Sequence, residues 1–219
     1  MAKVATRRKY LKLKIAREGI VYVLVPLLLA ALALALGYWP IAIPFLFVAG
    51  FMLYFFRDPE RQAPTEADVV VSPADGRVTR VRALAPESEN SATLISIFLS
   101  PLDVHINRSP IAGKVTDVSY IKGKFLMATD ERASLINEQN VLTIAGDNVS
   151  IVCKQIAGIL ARRIVCWKHK SDSVALGERI GLIKFSSRTD VVLPANVKVE
   201  VAEGMKVKGG TTIIGRIQR

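Results

Sequence analysis

Ser72-Pro73-Ala74-Asp75-Gly76-Arg77-Val78-Thr79-Arg80-Val81 returns with small changes as Ser109-Pro110-Ile111-Ala112-Gly113-Lys114-Val115-Thr116-Asp117-Val118. Both copies read Ser-Pro-x-x-Gly, a basic residue, then Val-Thr-x-Val. Pro and Gly punctuate a turn, and the β-branched run after it fits a strand. Two similar turn-into-strand units in one β structure are therefore expected. Further short β-branched runs surround the pair, at Val69-Val70-Val71, 94–99, 141–144 and 149–152. The last two flank a hairpin turn, Ala145-Gly146-Asp147-Asn148. A Gly-rich stretch over 203–215 reads as a closing hairpin, and only 129–138 and 156–163 read as brief helices. The expected fold class is mainly β (α+β): a barrel-sandwich-like catalytic domain over 67–219 with an internal repeat.

Upstream the character of the chain changes. From Gly19 to Phe56 there is no charged residue. This run is too long for a signal-peptide core and no small-residue cleavage site follows it, so it is expected to remain as a membrane anchor. Gly37-Tyr38-Trp39-Pro40 divides it into apolar runs of roughly 18 and 16 residues, a little short of the ~20 that cross a bilayer comfortably. A helical hairpin that spans or dips into the membrane is the expectation, with one spanning helix plus one interfacial helix as the alternative. Lys3, Arg7, Arg8, Lys9, Lys12, Lys14 and Arg17 precede the run, and Arg57 and Arg61 follow it. By the positive-inside rule both ends face the cytoplasm. The organisation is then a basic juxtamembrane segment (1–18), a hydrophobic hairpin (19–56), a linker (57–66) and the β-rich domain (67–219).

The net charge of +11 would suit nucleic acid, but much of the excess sits beside the hydrophobic run, where it attracts anionic headgroups. No nucleic-acid motif or aromatic-basic interleaving occurs in the rest, so the expected partner is the lipid bilayer and not nucleic acid. The two cysteines, Cys153 and Cys166, lack metal-ligand spacing. No metal is expected, and a reducing compartment is. Half-barrels of this type occur in lipoyl- and biotinyl-like domains, but the absence of a Met-Lys-Met or Asp-Lys-Ala acceptor turn argues against a swinging-arm carrier.

Near the C-terminus, Gly181-Leu182-Ile183-Lys184-Phe185-Ser186-Ser187-Arg188-Thr189-Asp190-Val191-Val192-Leu193-Pro194 carries a Ser-Ser pair. A backbone break there needs a hydroxyl after the scissile bond, a base and a polarised carbonyl. Ser187 supplies the hydroxyl. Of the two histidines, His105 lies in a polar cluster, Ser100-Pro101-Leu102-Asp103-Val104-His105-Ile106-Asn107-Arg108, straight after an apolar strand, while His169 stands among lysines in an expected exposed turn. His105 is the candidate base. A carboxylate that orients such a histidine would be Asp75 or Asp103, and spacing does not choose between them.

These blocks, with Phe56-Arg57-Asp58-Pro59, Asn137-Glu138-Gln139-Asn140 and Gly177-Glu178-Arg179-Ile180-Gly181, together resemble the phosphatidylserine decarboxylase family in its short, membrane-anchored bacterial and archaeal form. The resemblance runs over nearly the whole chain. It implies a self-processing proenzyme in which an Asp-His pair activates Ser187, here Asp75 and His105. The hydroxyl displaces the amide nitrogen to give an ester, and elimination leaves a pyruvoyl group made from Ser187. The products would be chains 1–186 and 187–219, held together as a heterodimer and open to higher assembly. The pyruvoyl group replaces pyridoxal phosphate, and it would condense with phosphatidylserine and release phosphatidylethanolamine on the cytoplasmic face of the cell membrane.

Two positions depart from the family pattern. Ser186 stands where the family has Gly, although histidine decarboxylase, another pyruvoyl enzyme, also breaks between two serines. Arg108 stands where longer members carry a second histidine, so His105 has two steps to serve. Arg108 could bind the substrate's phosphate or carboxylate or simply lie on the surface; Asp103 is the other candidate substrate contact. Two readings stay open beside the main one: a decarboxylase of another serine-headgroup lipid such as archaetidylserine, and a membrane-tethered module that never cuts.

Overall fold

The computed structural model describes residues 14–88, 90–130, 132–159, 163–185 and 187–218. Most of the basic segment 1–18, and Ser186 itself, lie outside the described residues. The chain divides into two units, Met1–Pro59 and Glu60–Arg219.

In the first unit the uncharged run folds as a helix pair. A single 3-10 turn, Arg17–Gly19, leads into α1 (Ile20–Ala35), and α2 (Trp39–Phe55) follows. The connection closes through the Tyr38 N–H on the Ala33 carbonyl (2.8 Å). Pro40 stands in the first turn of α2, where no N–H is needed. Small residues bring the helices together: Ala30, Ala33 and Ala42 are buried in one cluster with Phe45 packed against it. Leu28, Leu32 and Phe47 point outward. The segment Arg17–Ala35 is long and apolar enough to cross a membrane, whereas α2 is shorter.

Among the described residues the second unit holds fourteen strands and one short helix. The first three strands are β1 (Val69–Val71), β2 (Gly76–Ala83) and β3 (Thr93–Leu99). Seven more follow: β4 (Ile106–Arg108), β5 (Gly113–Ile121), β6 (Gln139–Ala145), β7 (Ser150–Ala157), β8 (Ile164–Cys166), β9 (Ser173–Val174) and β10 (Arg179–Ile183). The last four are β11 (Ser187–Leu193), β12 (Val197–Val199), β13 (Lys206–Val207) and β14 (Ile213–Ile217). The expected helix over 129–138 shrinks to α3 (Ala133–Ile136). Of the one expected at 156–163, Ile156 and Ala157 instead form the end of β7, held by their pairing with β11 and β6, and residues 160–162 lie outside the described residues.

The strands form a curled eight-stranded sheet, β13-β2-β3-β11-β7-β6-β5-β9, and two three-stranded sheets, β1-β14-β12 and β4-β10-β8. Both orders reveal a duplication that extends the sequence echo to the whole unit. Gly76 pairs with Val207, and Gly113 pairs with Val174. The register shifts after Val78 in one copy and after Val115 in the other. At those bulges the Thr79 hydroxyl donates to the Ser96 carbonyl and the Thr116 hydroxyl to the Thr143 carbonyl, each at 3.3 Å. Gly76 and Gly113 have φ of 146° and 158°, and a Cβ on either would strike the carbonyl of Phe98 or Ala145. No other residue fits there.

One repeat is continuous, from β4 to β10. The other is interrupted: β1 to β3 form its first part and β11 to β14 its second. In the continuous repeat β6 and β7 are joined by a tight turn, with the Gly146 N–H on the Val149 carbonyl (2.8 Å). In the interrupted repeat the same place, between Leu99 and Ser187, is filled by residues 100–186. A single core of Val78, Ile95, Ile97, Leu142, Ile144, Ile151 and Val191 with their neighbours runs through both.

Candidate active site

The two junctions between the repeats, 100–105 and 184–186, share their ends. Leu99 pairs with Ser187, while the Ile183 N–H donates to the His105 carbonyl (3.3 Å). The loop ending at His105 and the segment leading into Ser187 therefore lie at the same end of the large sheet. Asp75 immediately precedes Gly76, whose backbone abuts Phe98, which sets it at that end too. Ser187 pairs with Leu99 on one side and Ala157 on the other, and cross-strand partners share a face. Its side chain is 0% exposed, and its Oγ has no hydrogen-bond partner among the described residues. A buried, unsatisfied hydroxyl costs about 1–3 kcal/mol, which no contact among the described residues offsets, and this makes Ser187 a candidate for chemistry.

His105 is 2% exposed. Its Nδ1 lies 3.0 Å from the Asp103 carbonyl oxygen. A carbonyl only accepts, so Nδ1 carries the hydrogen and the neutral ring keeps its lone pair on Nε2. Main chain, not a carboxylate, sets this tautomer. The Asp103 carboxylate instead accepts the Ser100 N–H (2.8 Å) and locks the loop. Asp75 is held firmly: Arg61 grips it with two bonds of 2.5 and 2.6 Å, and the Gly209 N–H donates to it at 2.8 Å. Arg61 also donates to the Gly209 carbonyl (2.6 Å). From sequence Arg61 reads only as a linker residue and a topology charge; the prolines around it signalled an exit from the membrane and hid an anchor.

Arg108 is 4% exposed and donates to the Gly177 carbonyl (3.0 Å), so the surface alternative for this residue is overturned. Its Cδ lies where a Cβ at position 210 would stand, so Gly210 makes room for it. His169 is exposed, as expected, in a turn with Asp172.

Beside Ser187 runs a buried chain of amides. Asn140 donates to Gln155, Gln155 to Asn107 and Asn107 to the Thr189 hydroxyl, each at 2.9 Å. The last bond ties the second residue after His105 to the second residue after Ser187. On the opposite face Arg188 holds Asp190 through 2.6 and 3.0 Å bonds and reaches the Ser96 hydroxyl at 2.7 Å. Phe185, two residues before Ser187, has φ of 59°, a left-handed conformation that costs a bulky residue of the order of 1–3 kcal/mol. These features escaped sequence reading because Asn, Gln and Thr in short strands carry no periodic signal. A cavity of about 420 Å³ lies at the opposite end of the unit, lined by Asp68, Val69, Ile111, Asp147 and Val149 among others. It is the counterpart, in the second repeat, of the Ser187 region. Among the described residues no group of His, Cys, Asp and Glu is arranged to hold a metal.

The family model of phosphatidylserine decarboxylase matches residues 48–215. The chain belongs to that family. A phosphatidylserine decarboxylase proenzyme of Solibacter usitatus is 48% identical over 204 residues, covering 93% of this chain and 97% of that one. Proenzymes of the same name from Symbiobacterium thermophilum and from the Wolbachia of Brugia malayi are 47% and 41% identical. They cover 93% and 94% of this chain, and 95% and 92% of their own lengths. The resemblance drawn from the motifs is thus borne out, and so is the mainly β fold with its leading helix pair.

Proposed function

We propose that this member of the phosphatidylserine decarboxylase family is a proenzyme that cuts itself between Ser186 and Ser187 and works through a pyruvoyl group made from Ser187. The observation that carries the reading is the buried Ser187 hydroxyl, without a partner among the described residues, at the sheet end where His105 keeps a basic Nε2. His105 takes the hydroxyl proton, and the oxygen attacks the carbonyl carbon of residue 186. The amide C–N bond breaks, His105 delivers the proton to the departing nitrogen, and an ester replaces the amide. Loss of the α-hydrogen of residue 187 then expels the carboxylate of residue 186, and water displaces the nitrogen as ammonia.

Asp75 supplies negative charge to the site, balanced by Arg61 until His105 becomes an imidazolium. The left-handed Phe185 stores strain next to the scissile bond. Cleavage leaves chains 1–186 and 187–219 together, since β11 is hydrogen-bonded to β3 and β7 along its length. The pyruvoyl group, when formed, supplies an electron sink for the loss of carbon dioxide from a serine headgroup. Arg108 offers the buried positive charge for the substrate's phosphate or carboxylate, and Asp103 shapes the loop around it. The uncharged helix pair anchors the chain in the bilayer with both ends in the cytoplasm, so the lipid presents only its headgroup.

Intact mass measurement tests the reading. Active material should contain a short chain beginning at residue 187 with a carbonyl cap, and Ser187→Ala should remain an unbroken 24.0 kDa chain that releases no carbon dioxide. Turnover by an uncut chain would defeat it.

A further inference from the structure

Large apolar side chains are exposed unevenly over the β unit. Leu102, Ile121, Met127, Leu135, Ile136 and Ile159 are all exposed, Leu135 at 78%. They belong to three segments, 100–105, 121–138 and the turn after β7, that open from the sheet end holding Ser187. Tyr120 stands at the foot of the middle segment, and beyond it Leu84 and Met205 are the only other large apolar side chains exposed in this unit among the described residues. The longest segment is stitched to the site: the Asn137 amide donates to the Ala157 carbonyl (2.8 Å), next to Ser187 across the sheet.

Charge follows the same polarity. Lys122, Lys124 and Arg163 stand exposed on this rim, while its acids among the described residues are engaged. Asp130 is paired with Arg132, Asp103 with the Ser100 N–H, and Glu138 hydrogen-bonds Tyr120. The opposite end presents Glu87 and Asp147 to solvent, with Glu66 paired to Arg216. An apolar crest flanked by lysine and arginine matches the two layers of an anionic bilayer surface, acyl boundary and headgroups. A protein partner would more often be met by an aromatic-rich apolar core than by a ring of cations.

We propose that this rim is a second membrane contact of the chain: residues 127 and 135–136, with Leu102 and Ile159, enter the headgroup layer, and Lys122, Lys124 and Arg163 hold anionic phosphates. The contact is separate from the helix pair and needs no step of the chemistry at Ser187. It would bring the mouth of the site down to where a lipid headgroup sits, without drawing the lipid from the bilayer.

Full-length protein carrying Cys166→Ser and one reporter cysteine, Leu135→Cys or Asp147→Cys, would be labelled with an environment-sensitive fluorophore. It would then be placed in phosphatidylcholine vesicles with or without phosphatidylglycerol and spin-labelled quencher lipid. The expected result is a blue-shifted, quenched reporter at 135 and an unquenched one at 147, with quenching at 135 at least halved when phosphatidylglycerol is omitted or when Lys122→Glu and Lys124→Glu are introduced. Equal quenching at both sites, or none at 135, overturns the proposal. So does undiminished quenching in pure phosphatidylcholine. Reporter cross-links between copies at 135 would assign the surface to a second copy of the chain instead. The 135-against-147 comparison needs no charge variant, so it stands even if the glutamate variants misfold.

Discussion

The two repeats of the β unit close the same hairpin in different ways. In the continuous repeat, Gly146 and Val149 meet across Asp147-Asn148, and the strands beyond are joined for the least possible chain. In the interrupted repeat, Leu99 and Ser187 meet across the whole of the other repeat. Matching registers make the correspondence residue by residue: Phe98 with Ala145, Arg188 with Ser150, and hence Ser187 with Val149. Likewise Asn107 and Val70 are partners of Gly181 and Gly215, so His105 answers to Asp68. Where the end at the tight turn has Val149, Ile151 and Val70, the other end has Ser187, Thr189 and Asn107. A tight turn has two chemically idle ends. Opening it to admit a second repeat leaves two junctions facing one another, and there polar residues replace core residues at the same positions. A cavity lies at the Val149 end, whereas the proposed nucleophile and base stand at the other.

The largest effect should come from the pair His105 and Asp68. His105→Gln removes the base while filling the same space, and self-cleavage should slow by roughly 10²–10⁴-fold. Asp68→Asn, at the equivalent position, should leave the rate unchanged. Time courses of chain scission on denaturing gels read both. If the two variants cleave at the same rate as the parent, the asymmetry drawn between the repeats is wrong.

Next is the pair Arg188 and Ser150. Arg188→Met strands the Asp190 carboxylate, which is fully buried, and should lower stability by about 3–5 kcal/mol. Ser150→Ala, on an exposed hairpin end, should change it by less than about 0.5 kcal/mol. Denaturant unfolding of the two variants, each on the uncleaved Ser187→Ala background, gives the difference directly.

A smaller effect sharpens the comparison at the amide chain. Asn107→Val copies the residue of the other repeat, Val70, but leaves the Gln155 amide without its acceptor, and the expected loss is about 1–3 kcal/mol. Because Asn107 bonds to Thr189, cleavage should slow more than stability alone explains, through altered approach of His105 and Ser187. Thr189→Val, which removes the other end of that bond, should slow it similarly, whereas Val70→Ile should not.

Much of this architecture was readable beforehand, and the reasons for the rest are physical. Ser-Pro-x-x-Gly-(Lys/Arg)-Val-Thr is long enough to expose a duplication because turn, positive-φ glycine and bulge threonine each restrict residue choice. The second halves of the repeats share little beyond Val-x-x-Gly at 174–177 and 207–210, since strands ask only for alternation. That is why the interrupted connectivity could not be read. Ser187 and His105 are the proposed pair that motif and chemistry single out. Arg61 was missed because its partner is made by the fold: an ion pair across 14 positions leaves no local pattern. The short helix at 133–136 shows the opposite error, in which favourable composition exceeded what the neighbouring strands allowed.

The smallest effect concerns the two thiols. Cys153 lies directly opposite Val191, its own counterpart in the other repeat, so the strands β7 and β11 meet at equivalent points on the centre of the large sheet. Burial, then the negative charge of Asp190, pushes the Cys153 thiol up to about 12. A thiol raised that far is nearly all protonated at pH 8, and only the thiolate attacks an electrophile. Cys166, on the short strand β8 and partly exposed, should therefore take up a maleimide reagent at pH 8 while Cys153 reacts only after denaturation. Raising the pH toward 10 should increase the Cys153 thiolate fraction about a hundredfold yet leave it a small minority, so labelling there would stay slow as long as the sheet is intact. Mass mapping of the labelled peptides decides this. Rapid modification of Cys153 in native protein would mean that β7 and β11 part readily, and with them the seam on which the whole comparison between the repeats is drawn.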